Sequence, residues 1–218
     1  MPARENILNR IRAAQGRDGV PSPQEHATVA AHLLEHPQGP RPSSQWHPLE
    51  RLRERAQSLS TTLDHVDRTA AVPQAVARYL QSNGLPLSAV CWPELAELEW
   101  QVAGVTVESR ETRGDDLVGI TGAFCAIAET GTLMLLSGAR TPGATSLLPE
   151  THIAVVPAAR IVRGMEDAWA LLRAEHGPDA MPRAVNFISG PSRTADIEQT
   201  LVLGAHGPYR VHIVLTGG

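Results

Sequence analysis

Glu129 is the first residue whose type and position could carry chemistry. It follows the apolar run 123–128 and precedes Thr130, Gly131 and Thr132. A carboxylate in such a place loses hydration, which suits a general base, a nucleophile or an acceptor for a bound ligand. The alternative is a carboxylate that neighbouring backbone N–H groups satisfy and that only closes a turn. We therefore treat Glu129 as a candidate catalytic residue and the three residues after it as candidate ligand contacts.

The segment 189–198, SGPSRTADIE, has the pattern of an anion site. A strand leads into Gly190, and Ser192, Arg193 and Thr194 then precede an expected helix start at Asp196. Backbone N–H groups at a helix start attract anions, and an arginine adds a fork of donors. The pattern predicts that these four residues from Gly190 to Thr194 bind a phosphate or a carboxylate. In the alternative, Arg193 pairs with the acidic residue at 196 or 198 and only fixes the loop.

Two glycine-rich loops hold the remaining candidates. Arg140 lies in a loop that follows an expected strand, where ligands of parallel sheets commonly bind, although a solvated hairpin loop explains it equally well. His206 lies between Gly204 and Gly207. It is a candidate acid–base group, and the alternative is that it only forms part of a plain turn. No spacing of histidines or cysteines matches a metal-binding motif, so we predict no metal site in this chain.

The elements that must position these residues form two regions. Residues 1–69 are expected to form a helical N-terminal extension with a proline-rich strap at 37–48 and a helix at 49–63. From residue 70 to 218 helices and strands alternate, which predicts an α/β domain with a mainly parallel sheet. The expected strands are 89–92, 105–108, 117–121, 132–136, 152–156, 184–188 and 211–215, with a helix predicted at 94–102 and another at 165–175.

Composition excludes several classes of protein. All 19 basic residues are arginine, so the chain cannot form a lysine Schiff base or an ordinary P-loop. Two cysteines cannot supply a four-thiolate cluster, and a net charge of -4 with 4% aromatic residues argues against nucleic-acid binding. The chain has neither a secretory signal pattern nor an apolar run long enough for a bilayer. We expect a soluble, cytoplasmic protein without a membrane span.

Three runs carry a family resemblance: ITGAFCAIAETGTLMLLSG, SLLPETHIAVVPAARIV and SGPSRTADIEQTLVLGAHGPYRVHIVL. In this order they resemble the lactate utilization protein C family, which carries the LUD domain. The resemblance implies a three-layer α/β/α fold like that of sugar-phosphate isomerases and CoA transferases. It also implies a role in oxidising L-lactate to pyruvate together with two partner proteins, of which at least one holds iron–sulfur clusters. With two cysteines and no evident flavin motif, we expect no redox cofactor in this chain itself. Glu129-Thr130-Gly131 is faintly similar to the catalytic Glu-Asn-Gly of CoA transferases, with threonine in place of asparagine.

Three hypotheses of function remain open at this point. In the first, the chain is an accessory subunit of a lactate-oxidising assembly and binds an anionic ligand. In the second, it is a stand-alone enzyme that acts on an acyl-CoA or a sugar-phosphate-like anion through Glu129 and Arg193. In the third, it is a non-catalytic scaffold that presents the segment 190–198 to a partner.

Overall fold

The computed structural model describes residues 3–16, 20–43, 45–177, 180–194 and 202–217. The chain divides into two compact units, Met1–Ser43 and Ser44–Gly218. The first unit contains helices α1 (Ala3–Ala14) and α2 (Pro23–Glu35), neither of which has a buried residue. Helix α2 begins with a capping box, in which Ser22 and Glu25 satisfy each other's backbone N–H groups. A helical N-terminal segment is therefore present, as the sequence predicts.

The second unit holds the remaining helices and all the strands of the described residues. Its helices are α3 (Pro48–Ser58), α4 (Val72–Ser82), α5 (Ala144–Leu147) and α6 (Met165–His176). Its first six strands are β1 (Thr62–Val66), β2 (Ser88–Cys91), β3 (Thr106–Glu108), β4 (Val118–Gly122), β5 (Cys125–Ile127) and β6 (Thr132–Leu136). The other six are β7 (Thr151–Pro157), β8 (Ile161–Val162), β9 (Val185–Ile188), β10 (Arg193–Thr194), β11 (Val202–Leu203) and β12 (Arg210–Thr216).

A six-stranded sheet forms the centre of this unit, in the order β1-β12-β7-β4-β2-β3. Each neighbouring pair is parallel, which confirms the predicted α/β class with a mainly parallel central sheet. Strands β4 and β7 are buried almost throughout, as expected for parallel strands that are covered on both faces. One face packs against α4, where Ile120, Ile153 and Val214 meet Val76 and Leu80.

The other face of the central sheet packs against α3 and against a second sheet, which the sequence did not predict. This sheet has the order β8-β5-β6-β9, with antiparallel pairs on both sides of β6. Leu133 and Leu135 of β6 point towards Ile213 of the central sheet and Leu52 of α3. The opposite face of the second sheet is covered by α6 through Ala168 and Leu172.

Residues 45–69 differ from the helical extension that the sequence suggests. Helix α3 ends at Ser58, because Ser60 has a left-handed φ of 65° and the chain turns there into β1. Strand β1 pairs with β12 and so belongs to the central sheet. The helix expected at 94–102 is also absent, and two short 3-10 turns, Pro93–Leu95 and Gln101–Ala103, stand in its place. No helix within the described ranges has the length and hydropathy that a bilayer span requires.

Candidate functional site

The turn between β5 and β6 holds Glu129 and its neighbours. The half-buried Glu129 donates its backbone N–H to the carbonyl of Arg163 at 2.9 Å. Thr130 Oγ1 donates to Thr132 Oγ1 at 2.8 Å, and Thr132 Oγ1 lies 2.7 Å from Ser189 Oγ. These hydroxyl groups link the Glu129 turn directly to the segment that precedes Gly190.

The end of α3 lies against both segments. Gly131, with a φ of 72°, lies so close to the backbone of α3 that a Cβ at this position would be 2.6 Å from the backbone nitrogen of Ala56. Gly190, with a φ of 84°, would place a Cβ 2.5 Å from the carbonyl oxygen of Leu59. Only glycine fits such positions, because both the left-handed backbone and the short approach to another backbone exclude a side chain.

Arg193 binds the connection between α3 and β1. Its Nη2 donates to the carbonyl of Leu59 at 2.8 Å and to Ser60 Oγ at 2.7 Å. Ser192 donates its backbone N–H to the carbonyl of Pro208 at 2.9 Å, which brings the loop 204–208 alongside. In that loop His206 is exposed. Thr194 is half-buried in β10, and the expected helix start at Asp196 lies outside the described residues.

The structure thus gathers most of the residues singled out in the sequence around one feature, the connection between α3 and β1. Glu129, Thr132, Gly190 and Arg193 belong to this group, which we call the α3-end cluster, together with Thr130, Gly131, Ser189 and Ser192. Thr194 follows Arg193 in β10, and the loop that holds His206 adjoins the cluster through the backbone hydrogen bond between Ser192 and Pro208. Arg140 does not join it. That residue is exposed in the loop that connects β6 to α5, at the opposite end of β6 from the Glu129 turn.

A cavity of about 810 Å³ lies at this opposite end, along the carboxyl edge of the central sheet. Five parallel strands end there or lead into it, and ligands of open parallel sheets bind at such an edge. The residues from the sheet side are Thr69, Trp92, Glu94, Leu95, Gly122, Ala123, Phe124, Val155, Pro157 and Thr216. The facing wall comes from the second sheet, the β6–α5 loop and the end of α6, and none of its residues belongs to the α3-end cluster.

Two side chains of the cavity are held firmly by the protein itself. Trp92 is buried and donates its indole N–H to the carbonyl of Pro142 at 3.2 Å. Arg160 donates from Nε to the carbonyl oxygen of Phe124 at 2.8 Å, and its Cζ lies 4.6 Å from the centroid of the Phe124 ring. Its two terminal nitrogens form a bidentate ion pair with the carboxylate of Glu175. The hydrogen bonds from Arg160 lower the pKa of the Glu175 carboxyl, and the same bonds raise the pKa of Arg160.

Glu94 differs from these side chains. Its carboxylate lies beside the Cα of Gly122, in space that any Cβ at that position would take. Among the residues that the structure describes, none forms a hydrogen bond or an ion pair with it. Neither Glu94 nor Gly122 belongs to the residues that the sequence pattern predicts as site residues. The one sequence feature that could have identified them is their position directly after a predicted strand. Glu94 follows the expected strand 89–92, and Gly122 follows the expected strand 117–121.

Two buried histidines belong to the central sheet and not to either candidate site. His152 is fully buried and its Nε2 lies 2.8 Å from Thr121 Oγ1, while burial lowers its pKa to about 3. His212 stacks on Tyr79 with a centroid distance of 3.9 Å, and burial lowers its pKa to about 4. Both imidazoles are therefore neutral near pH 7. In the described part of the chain, no group of three or more His, Cys, Asp or Glu residues could hold a metal ion.

Comparison with known proteins gives a consistent picture. A family model described as the LUD domain matches residues 49–216. The "Lactate utilization protein C" of Bacillus licheniformis is 33% identical over 126 residues, which are 57% of this chain and 52% of that protein. The protein of the same name from Halalkalibacterium halodurans is 45% identical over 95 residues, 43% of this chain and 41% of its own length. The chain therefore spans about half the length of the curated relatives that it matches.

A solved structure shares the fold. It is the crystal structure of a DUF162 family protein from Deinococcus radiodurans, with a TM-score of 0.62 and 26% sequence identity. The alignment covers 81% of this chain and the whole of that chain. The match of the family model begins at residue 49, so it includes α3 and β1 together with the rest of the central sheet.

Proposed function

The chain belongs to the LUD domain family, and on this premise we propose that it is a subunit for L-lactate utilization. It would serve the oxidation of L-lactate to pyruvate together with partner proteins. The observation that carries the proposal is the family match over residues 49–216, joined to relatives whose name is "Lactate utilization protein C". The match spans most of the α/β unit, so the proposed role rests on the folded unit and not on a short motif.

The electrons that leave L-lactate need an acceptor, which we assign to iron–sulfur clusters on the partner proteins. Cluster ligands are thiolates, and the chain has only Cys91 and Cys125. Both are buried free thiols, and burial raises the pKa of Cys91 to about 11 and that of Cys125 to about 12. Thiols in this state are poor ligands and poor nucleophiles near neutral pH. Their burial supports an accessory role for this subunit.

The α3-end cluster is our proposed site for an anionic ligand. Its hydroxyl groups on Thr132 and Ser189 lie next to each other, and the guanidinium of Arg193 is fixed in the same region by Leu59 and Ser60. Hydroxyl and guanidinium donors are the groups that bind carboxylates and phosphates in proteins. Calorimetric titration with L-lactate and with inorganic phosphate tests the site. Arg193→Gln should weaken binding at least about tenfold, because a hydrogen bond to a charged group contributes about 1.5–3 kcal/mol.

The role in lactate utilization is tested in cells. Deletion of the coding sequence in the source organism should abolish growth on L-lactate as sole carbon source and leave growth on pyruvate intact. Restoring the wild-type chain should restore growth. Normal growth of the deletion strain on L-lactate would refute the proposed role. Growth that fails on pyruvate as well would place the defect elsewhere in metabolism and would also contradict it.

The two other functions make different predictions in the same system. If the chain is a stand-alone enzyme, the purified protein turns over an acyl-CoA or a sugar phosphate, and Glu129→Gln abolishes that turnover. If it is a scaffold, Arg193→Ala loses the partner proteins in a pull-down while small anions bind as before. An accessory ligand-binding subunit instead co-purifies with iron–sulfur proteins, and Arg193→Gln weakens anion binding without loss of the complex.

A further inference from the structure

The cavity at the carboxyl edge of the central sheet is too large for a small carboxylic acid. Its volume of about 810 Å³ lies in the range of about 300–1,000 Å³ that is typical of pockets for drug-sized molecules and cofactors. A three-carbon acid would leave most of this space to water. A ligand that fills this space is larger than L-lactate, and the cavity shares no lining residue with the α3-end cluster.

The walls of the cavity favour a flat apolar body. Trp92, of which 4% is exposed, and the half-buried Phe124 line it, together with the aliphatic residues Leu95, Leu136 and Val155. Trp92 is fixed by its hydrogen bond to Pro142, so the aromatic wall exists before any ligand arrives. Aromatic rings pack well against such walls, and a preformed wall reduces the entropy that binding costs.

The charges of the cavity determine which polar group the occupant carries. Within the described part of the chain, the ionisable side chains that line it are those of Glu94, Arg160 and His176. The positive charge of Arg160 is already matched by Glu175, and its Nε is used by the carbonyl of Phe124. Glu94 has no such partner among the described residues. The charge that remains unmatched in the cavity is therefore negative. It lies beside the aromatic wall, because the side chains of Glu94 and Trp92 both border the space next to the Cα of Gly122.

From these observations we propose that the cavity binds a ligand with a flat aromatic body and a positively charged or N–H-donating nitrogen, which pairs with the carboxylate of Glu94. The aromatic body lies between Trp92 and the facing wall from the second sheet. The hydroxyl groups of Ser137 and Thr141, which also line the cavity, bind further polar atoms of the ligand. This inference goes beyond the proposed role in lactate utilization and does not depend on it.

The test uses two aromatic probes that share a ring system and differ in charge. The purified full-length chain is titrated by calorimetry at pH 7.5 with 1-naphthylmethylamine and with 1-naphthylacetate. We expect the amine to bind severalfold more tightly, because the exposed carboxylate of Glu94 attracts the ammonium group and repels the acetate, each by up to about 1 kcal/mol. Equal affinities, tighter binding of the acetate, or no binding of the amine to the wild-type chain would overturn the proposal.

Variants locate the effect. Glu94→Gln should remove the preference for the amine, whereas Glu97→Gln, which changes an exposed carboxylate outside the cavity, should keep it. Thr69→Trp places a large side chain at an exposed position of the cavity wall and should weaken both probes. A preference that survives in Glu94→Gln would contradict the assignment of this carboxylate. Because the assay needs neither partners nor growth on lactate, its failure is distinct from a failure of the proposed function.

Discussion

Replacement of Gly131 by alanine tests the contact between the Glu129 turn and the end of α3. The left-handed φ of 72° costs an alanine about 1–2 kcal/mol. The new Cβ would also lie 2.6 Å from the nitrogen of Ala56 and 2.8 Å from the carbonyl carbon of Arg55. These are backbone atoms of a helix that is packed on the core, so they cannot move aside freely, and overpacking of this kind costs about 1–3 kcal/mol. The expected loss in the free energy of unfolding is about 2–5 kcal/mol.

Gly104→Ala is the matched control for this prediction. Its φ of 74° is nearly the same, but nothing lies within 4 Å of the position that a Cβ would take. The backbone cost and the entropy effect on the unfolded chain are therefore shared, and the difference between the two variants isolates the contact with α3. That difference is about 1–3 kcal/mol, which corresponds to a shift of about 0.5–1.5 M in the urea midpoint at an m value near 2 kcal/mol/M.

Urea unfolding followed by tryptophan fluorescence measures the difference, since all four tryptophans lie in the unit that contains the turn. Equal midpoints for Gly131→Ala and Gly104→Ala, with equal m values, would show that α3 does not press against the turn. The geometry of the α3-end cluster would then be wrong.

Three further predictions concern the core and the cluster. The free energy of unfolding should fall as the pH drops from 6.5 towards 3, by up to about 1.4 kcal/mol per pH unit for His152, because the unfolded chain binds a proton that the buried imidazole, with its pKa of about 3, does not bind. His152→Gln should flatten this slope, and an unchanged slope would contradict the burial of His152. Gly119→Ala should cost about 1–3 kcal/mol by overlap with a backbone carbonyl of α5, whereas Gly114→Ala, in open space, should cost little; equal costs would contradict the packing of α5 on β4. Arg193→Gln should speed amide exchange at residues 59–61, where its hydrogen bonds end, and unchanged exchange there would show that these bonds are absent in solution.

The parallel sheet could be predicted because its strands have clear signals of their own. In the central sheet, the strand expected at 152–156 and the one expected at 211–215 are each observed with one more residue at either end, as β7 and β12. Strand β1 was missed because Leu49, Leu52, Ala56, Leu59 and Leu63 continue a helical spacing through it. The left-handed backbone at Ser60, which breaks this helix, is stabilised by contacts with Arg193, more than 130 residues away. No local pattern reveals such a contact.

In the candidate sites, too, features with a local sequence pattern could be predicted, and features formed by distant segments could not. The two turns with Gly131 and Gly190 stood out in the sequence because glycine and hydroxyl residues mark special backbone geometry, and the structure brings them together at α3. The cavity did not stand out. Its walls come from the ends of several strands that lie side by side only after the chain has folded, and residues such as Trp92 and Arg160 look like ordinary core and surface residues in their own segments.

The position of β12 has a consequence for how the molecule is made. Strand β1 has a single neighbour in the central sheet, and that neighbour lies about 150 residues further along the chain, as the pairing of Thr62 with His212 shows. At a synthesis rate of about 5–20 residues per second, residues 62–66 wait roughly 8–30 s on the ribosome for the partner that completes their hydrogen bonds. During that interval the backbone N–H and C=O groups of this edge are open to other chains. Nascent copies of this protein should therefore depend on chaperones until residues 210–216 have emerged.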